Sequence, residues 1–291
     1  MKRWLLGLVS LVVGLGLGST SVAGQAADMK TFTNPIDAHV DVWIKELTVV
    51  EVRDAIRQGM TTAIVAAGGL EQNGPFNVTG KHSFMVEATA PAIARKLGNA
   101  LVAPIIDFVP NGDINPPTSH MQFAGSISVR QETYEAMLTD IIGSLAQHGF
   151  TDIVLIGDSG GGEQLGMQAV SERLNAQWQG RPAQVYYIPE YYEEDKYQCE
   201  FQENVLDVHQ QPTDCSATRD LYHDSYEYEA IVATTDPTRI RPAQRIKAGL
   251  FEINGVNMAP IEKTIANGLL MVDYRADLTV RAIKKAMESR R

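Results

Sequence analysis

The chain has 291 residues, 44% of them hydrophobic, with two cysteines and a formal net charge of −10. That length suffices for one large α/β domain with its own core. The negative balance repels a phosphate backbone and weighs against nucleic-acid binding. Two cysteines without C-x-x-C spacing weigh against a zinc–thiolate site.

Met1, Lys2 and Arg3 precede an uncharged run from Trp4 to about Ala27 that ends in the small residues "STSVAGQAA". A basic start, an apolar middle and a small-residue exit read as a secretory signal peptide over 1–27. The mature domain is then 28–291, expected in the periplasm or outside the cell and free of the membrane once the signal is removed. Thr48 and Glu51 fit a capping box for a helix ending near Gly59. "TTAIVAA" (61–67) reads as a buried strand, followed by the polar loop "GGLEQNGPFNVTGKHS" (68–83) and a helix over 85–97 stopped at Gly98-Asn99. "ALVAPIIDF" (100–108) reads as a second buried strand.

From Gln131 to His148, Tyr134, Leu138, Ile141, Ile142 and Leu145 recur at helical spacing, with Gly149 as the stop. "DIVLIGD" (152–158) is a third strand, then a helix to about Trp178, then "AQVYYIP" as a fourth strand. Residues 190–225 read as an irregular insertion in which Cys199 and Cys215 are expected to pair in an oxidising compartment. A long helix is expected within 260–289. Strands that are apolar throughout and alternate with helices imply an α/β fold, mostly a parallel sheet with helices on both faces.

In such sheets, ligands bind beyond the carboxyl ends of the strands. Two loops leave at that edge. One carries Glu71, Asn73, Lys81 and His82; the other is "GDSGGG", with Asp158, Ser159, Gly160 and Gly161. Glu and His within one loop suit a divalent metal, and Asp158 suits a metal ligand or a helix cap. Gly157 to Gly161 also satisfies G-x-S-x-G, the nucleophile turn of α/β-hydrolases. Such an enzyme would need its acid and base downstream, where His223 and Asp224 stand.

Three stretches carry a more specific signal: "WIKELTVVEVRDAIRQGMTTAIVAAGGLEQNGP", "PPTSHMQFAGSISVRQETYEAMLTDIIGSLAQHGFTDIVLIGDSGGG" and "YHDSYEYEAIVATTDP". In order and spacing they resemble the creatininase (creatinine amidohydrolase) family. Family members carry E-Q-H-G-P-H in the first loop, H-M-x-F-P-G-T, N-G-H-G-G-N and a later H-A-x-x-x-E-T-S. The resemblance implies a creatininase-like fold, hydrolysis of a C–N bond in a cyclic or linear amide, a divalent metal (zinc or manganese) that activates water, and a homo-oligomer, commonly a hexamer. Position by position it makes Glu71, His82, Asp158 and Glu229 the expected metal ligands, although Tyr228 is the ungapped match for the last and Glu227 flanks it. Asn73 and Ser159 fall where the family has ligand histidines, and His82 falls where it has an aspartate further along the first loop. His120, His223 and Ser159 are the expected catalytic residues, and Asn73, Lys81, Gly160 and Gly161 the expected substrate contacts. Two other readings remain open at this stage: a binding protein that has lost turnover on the same scaffold, and a metal-free hydrolase using Ser159 with His223 and Asp224.

Overall fold

The computed structural model of the protein describes residues 30–34, 41–75, 77–193, 195–209, 226–238, 241–253 and 255–289. Four parallel strands form its centre, β1 (Thr62–Ala67), β2 (Ala100–Val102), β3 (Asp152–Gly157) and β4 (Gln184–Tyr187), in the order β2-β1-β3-β4. Successive side chains of a strand point to opposite faces, so each apolar strand feeds two cores. Ala63, Val65, Ile153 and Leu155 pack on one face, Ile64, Ala66, Val154 and Ile156 on the other.

The first face is covered by α1 (Val49–Arg57), α3 (Gln131–His148) and α4 (Gly162–Gln177). The second is covered by α2 (Lys81–Leu97) and by α9 (Ile261–Glu288), which brings Ala276, Val280 and Ile283 onto the sheet. The Thr48–Glu51 capping box forms as expected. Helices α2 and α3 stop at Gly98 and Gly149, both in the left-handed conformation that glycine adopts without penalty. A third apolar cluster packs α7 (Tyr226–Ala233) against α2 and α9. Among the described residues no helix is long and apolar enough to cross a membrane.

Three sequence expectations change. The strand expected over 100–108 ends at Val102, because Pro104 offers no N–H to the ladder; the chain rejoins the sheet only at a single Ile106–Ala67 bridge. Helix α2 starts at Lys81 and not near 85, so Lys81 and His82 belong to its first turn. Much of the expected irregular insertion is helical: α5 (Glu190–Glu193) and α6 (Asp195–Asn204) occupy its first half. Cys199 is disulfide-bonded, while Cys215 lies outside the described residues. The short helix α8 (Arg241–Lys247) and the hairpin β5 (Glu252–Ile253) with β6 (Val256–Asn257) lead into α9.

Candidate functional site

Ala67 and Gly157 are register partners at the carboxyl ends of β1 and β3, so the two loops that follow rise side by side. The first passes close under α2. A Cβ on Gly68 would overlap the Ser83 backbone, which is why this turn accepts glycine. Asn73 braces the loop: it is 1% exposed, and its amide donates to the carbonyls of Glu71 (3.1 Å) and Val78 (3.0 Å). The loop delivers Glu71 beside the start of α2, where Lys81 and His82 emerge.

Two basic residues at a helix N-terminus oppose the macrodipole, at a cost of about 0.3–1 kcal/mol each, and α2 has no acidic residue in its first turn to offset them. Compensation comes from other segments. His82 Nδ1 lies 2.7 Å from Asp158 Oδ2 and Nε2 lies 2.8 Å from Glu71 Oε1. Both ring nitrogens are thus engaged with carboxyl oxygens, one on each side of the ring. Burial raises the Glu71 carboxyl, but its bond to His82 and the charges of His82, His120 and Lys81 outweigh this and hold it at about 2.

The cluster extends in both directions. Ser159 Oγ donates to Glu71 Oε2 at 3.2 Å, and His120 Nε2 lies 3.7 Å from the same oxygen. On the far side, Arg275 of α9 donates to Asp158 Oδ1 at 3.2 Å and lies 3.6 Å from Glu227 Oε1. Lys81, 1% exposed, sets its ammonium 4.0 Å above the centre of the Tyr228 ring, whose edge also meets His82. Beneath the second loop, Glu163 accepts from the Ser159 backbone N–H, and complete burial pushes its carboxyl well above the usual range.

Above these groups opens a cavity of about 440 Å³, walled by Glu71, Lys81, His82, His120, Ser159, Gly160, Gly161, Tyr192 and Tyr228. Most of the residues expected at the site therefore converge. Asp158 lies just below the cavity, 0% exposed, as the joint between His82 and Arg275. Two expected residues are placed elsewhere. Asn73 is a loop brace and not a cavity wall. Glu229 faces away and pairs with Arg245 at 2.6 Å, both groups buried; the carboxylate of that segment nearest the cluster is Glu227. His223 and Asp224 lie outside the described residues. Among the described residues Ser159 Oγ donates to Glu71 and bonds to no imidazole. The sequence reading missed Arg275, and it left the late position open between Glu227, Tyr228 and Glu229, of which Glu227 and Tyr228 join the cluster. Arg275 had left a signal: it sits on the buried face of α9 with Met271, Val272, Ala276 and Thr279, where an unpaired charge has no place.

A divalent ion does not fit the donor set that the described residues provide. Both nitrogens of His82 are spent on carboxylates, and Asp158 is shared with a guanidinium. Asn73 and Ser159 are neutral, and Glu229 is turned away. Among the described residues no three His, Cys, Asp or Glu side chains are arranged to hold a metal.

Comparison with known proteins places this geometry. Residues 45–283 match the Creatininase family, described as creatinine amidohydrolase. A mutant creatininase of the "Zn-Zn type" superposes with a TM-score of 0.60 at 17% identity, covering 85% of this chain and 98% of that one. A structure described as "Creatininase Mn" gives 0.57 at 17% identity, covering 86% and 98%. A 3-dehydro-scyllo-inosose hydrolase from Thermotoga maritima is 25% identical over 119 residues, 41% of this chain but only 36% of that protein's length. With the family matched over most of the chain and its fold shared almost end to end, the protein belongs to the creatininase family.

Proposed function

We propose that the protein is an amidohydrolase that cleaves the C–N bond of a small, polar, cyclic or linear amide in the 440 Å³ cavity. One observation carries this reading. Glu71, His82, His120, Ser159 and Lys81, drawn from four separate stretches of chain, converge on one cavity at the carboxyl edge of a creatininase-type sheet. Buried titratable groups that gather around a cavity mark a site of chemistry more often than one of packing.

Relatives include zinc and manganese forms. Because the donor set here does not fit such an ion, the reaction is written with the chain's own groups. His120, close to Glu71 and facing the cavity, takes a proton from water as the water oxygen bonds to the amide carbon. Lys81 and the backbone N–H groups at Gly160 and Gly161 face the carbonyl oxygen as it gains charge. His120 then returns the proton to the departing nitrogen as the C–N bond breaks, leaving a carboxylic acid and an amine. The bond from His82 holds Glu71 ionised and fixed so that Glu71 can orient His120.

The reading includes export and self-association. The signal-like residues 1–27 and the bonded Cys199 suit an oxidising compartment. The segment beside the cavity exposes Phe108, Ile114, Phe123 and Ile127, apolar surface that suits a second copy of the chain.

The test is a turnover screen of the purified mature protein against cyclic and linear amides, reading acid or amine release. His120→Ala is expected to lower kcat by about 100-fold or more, the range of general acid–base catalysis. Ligands that raise the melting temperature yet are never cleaved would replace this reading with the non-catalytic binding protein.

A further inference from the structure

We propose that protein cations occupy the role of the divalent metal in this active site: Lys81, His82 and Arg275 neutralise the buried carboxylates, and the enzyme works without zinc or manganese. The proposal rests on reading the cavity as the active site, but a different measurement tests it.

The arrangement that carries it is an alternating chain of charges. From Glu71 the order runs to His82 (2.8 Å), Asp158 (2.7 Å), Arg275 (3.2 Å) and Glu227 (3.6 Å). Each cation bridges two carboxylates, as a metal ion would, and Lys81 adds a further positive charge beside Glu71. Among the described residues of this cluster, three carboxylates face three cations, all at most 7% exposed. Glu229 and Arg245 pair with each other at 2.6 Å, apart from this chain of charges.

A divalent ion would therefore enter among carboxylates that, within the described residues, already face Lys81, His82 and Arg275, and adding its charge to a buried cluster is costly in a medium of low dielectric. It would also have to strip His82 of one of its two carboxylate partners. The guanidinium itself is held in place: it stacks 4.7 Å from the centre of the Tyr191 ring, whose hydroxyl lies 2.7 Å from Thr89 Oγ1. The substitutions at the family's ligand positions are mutually consistent. Histidines that would bind a metal are replaced by neutral Asn73 and Ser159, the aspartate by the cation His82, and Arg275 enters from the last helix.

The experiment is elemental analysis of the untagged mature protein, first as purified and again after incubation with zinc or manganese followed by desalting. Melting temperatures are recorded with zinc, with manganese and with a chelator. The proposal expects no stoichiometric metal and no shift in melting temperature under any of the three conditions. Retention of one or two ions per chain, lost in His82→Ala, would overturn it. A gain-of-site variant gives a positive arm: Asn73→His, His82→Asp and Ser159→His together are expected to acquire zinc. Should that variant fail to fold, Ser159→His with His82→Asp serves the same purpose, and zinc uptake by the unaltered protein equal to that of the variant counts against the proposal. Turnover is scored separately. A metal-free protein that cleaves no amide removes the amidohydrolase reading and leaves only the assignment of protein cations in place of the metal, whereas amide turnover abolished by chelator and restored by zinc overturns that assignment and keeps the amidohydrolase.

Discussion

Replacing Glu71 with glutamine tests whether the cluster is electrostatically coupled. Glu71 is 4% exposed, and its carboxyl is lowered from 4.5 to about 2. That difference corresponds to about 3 kcal/mol of folded-state stabilisation of the charged form. The sign follows from proton binding. Between pH 4.5 and about 2 the unfolded chain holds a proton at this position that the folded chain does not. The contribution is thus complete above pH 4.5 and is lost as the pH falls toward 2. Urea denaturation of the wild type and Glu71→Gln, followed by tryptophan fluorescence at several pH values across this window, isolates it. The variant is expected to be less stable at neutral pH by about 3 kcal/mol, roughly 10 °C in melting temperature for a domain of this size. The two curves should converge in acid. A variant whose stability falls with acid as steeply as the wild type's would refute the coupling of Glu71 to His82.

Three further outcomes are expected. Arg245→Met leaves the Glu229 carboxylate without its 2.6 Å partner and should cost about 3–5 kcal/mol in chemical denaturation, while Glu229→Gln with Arg245→Met together recovers most of it; if Glu229→Gln alone abolishes turnover in a stably folded protein, its placement outside the site is wrong. Glu163→Gln keeps the acceptor for the Ser159 N–H and removes an acid that must stay protonated when folded, so the wild type alone should lose stability as pH rises above the ordinary carboxylate range, and equal slopes for the two proteins would contradict a neutral Glu163. Ser159→Ala should reduce kcat by less than about tenfold, and the wild type should resist fluorophosphonate labelling; covalent labelling at Ser159 would instead point to nucleophilic catalysis.

The sheet was legible because its strands are short apolar runs next to glycine-rich turns, and α1, α3 and α9 were legible from caps and periodicity. What escaped did so for definable reasons. Helix α2 begins behind Gly80 with no capping side chain and with two cations in its first turn, a start that local preference disfavours and that only the distant Glu71 and Asp158 justify. Glu227 and Glu229 are two residues apart in one helix, and their neighbours in sequence do not distinguish them. Their partners do, Arg275 for one and Arg245 for the other, and both guanidiniums come from later elements. The motif spacing located the cavity. It did not determine which charges would meet across it.

Arg275 reaches Asp158 from a helix that starts 103 positions beyond it in the chain, at Ile261. During synthesis, β1, β3 and their loops are complete long before that guanidinium exists, so Asp158 at first has His82 but not Arg275 as a partner. The sheet and its first covering face can assemble early, but the second face and the electrostatic closure of the cavity arrive together with the last helix. Mature structure at the candidate site is thereby withheld until nearly the whole chain is available. A shortened product lacking α9 would carry every residue of both motif loops and still have no working site.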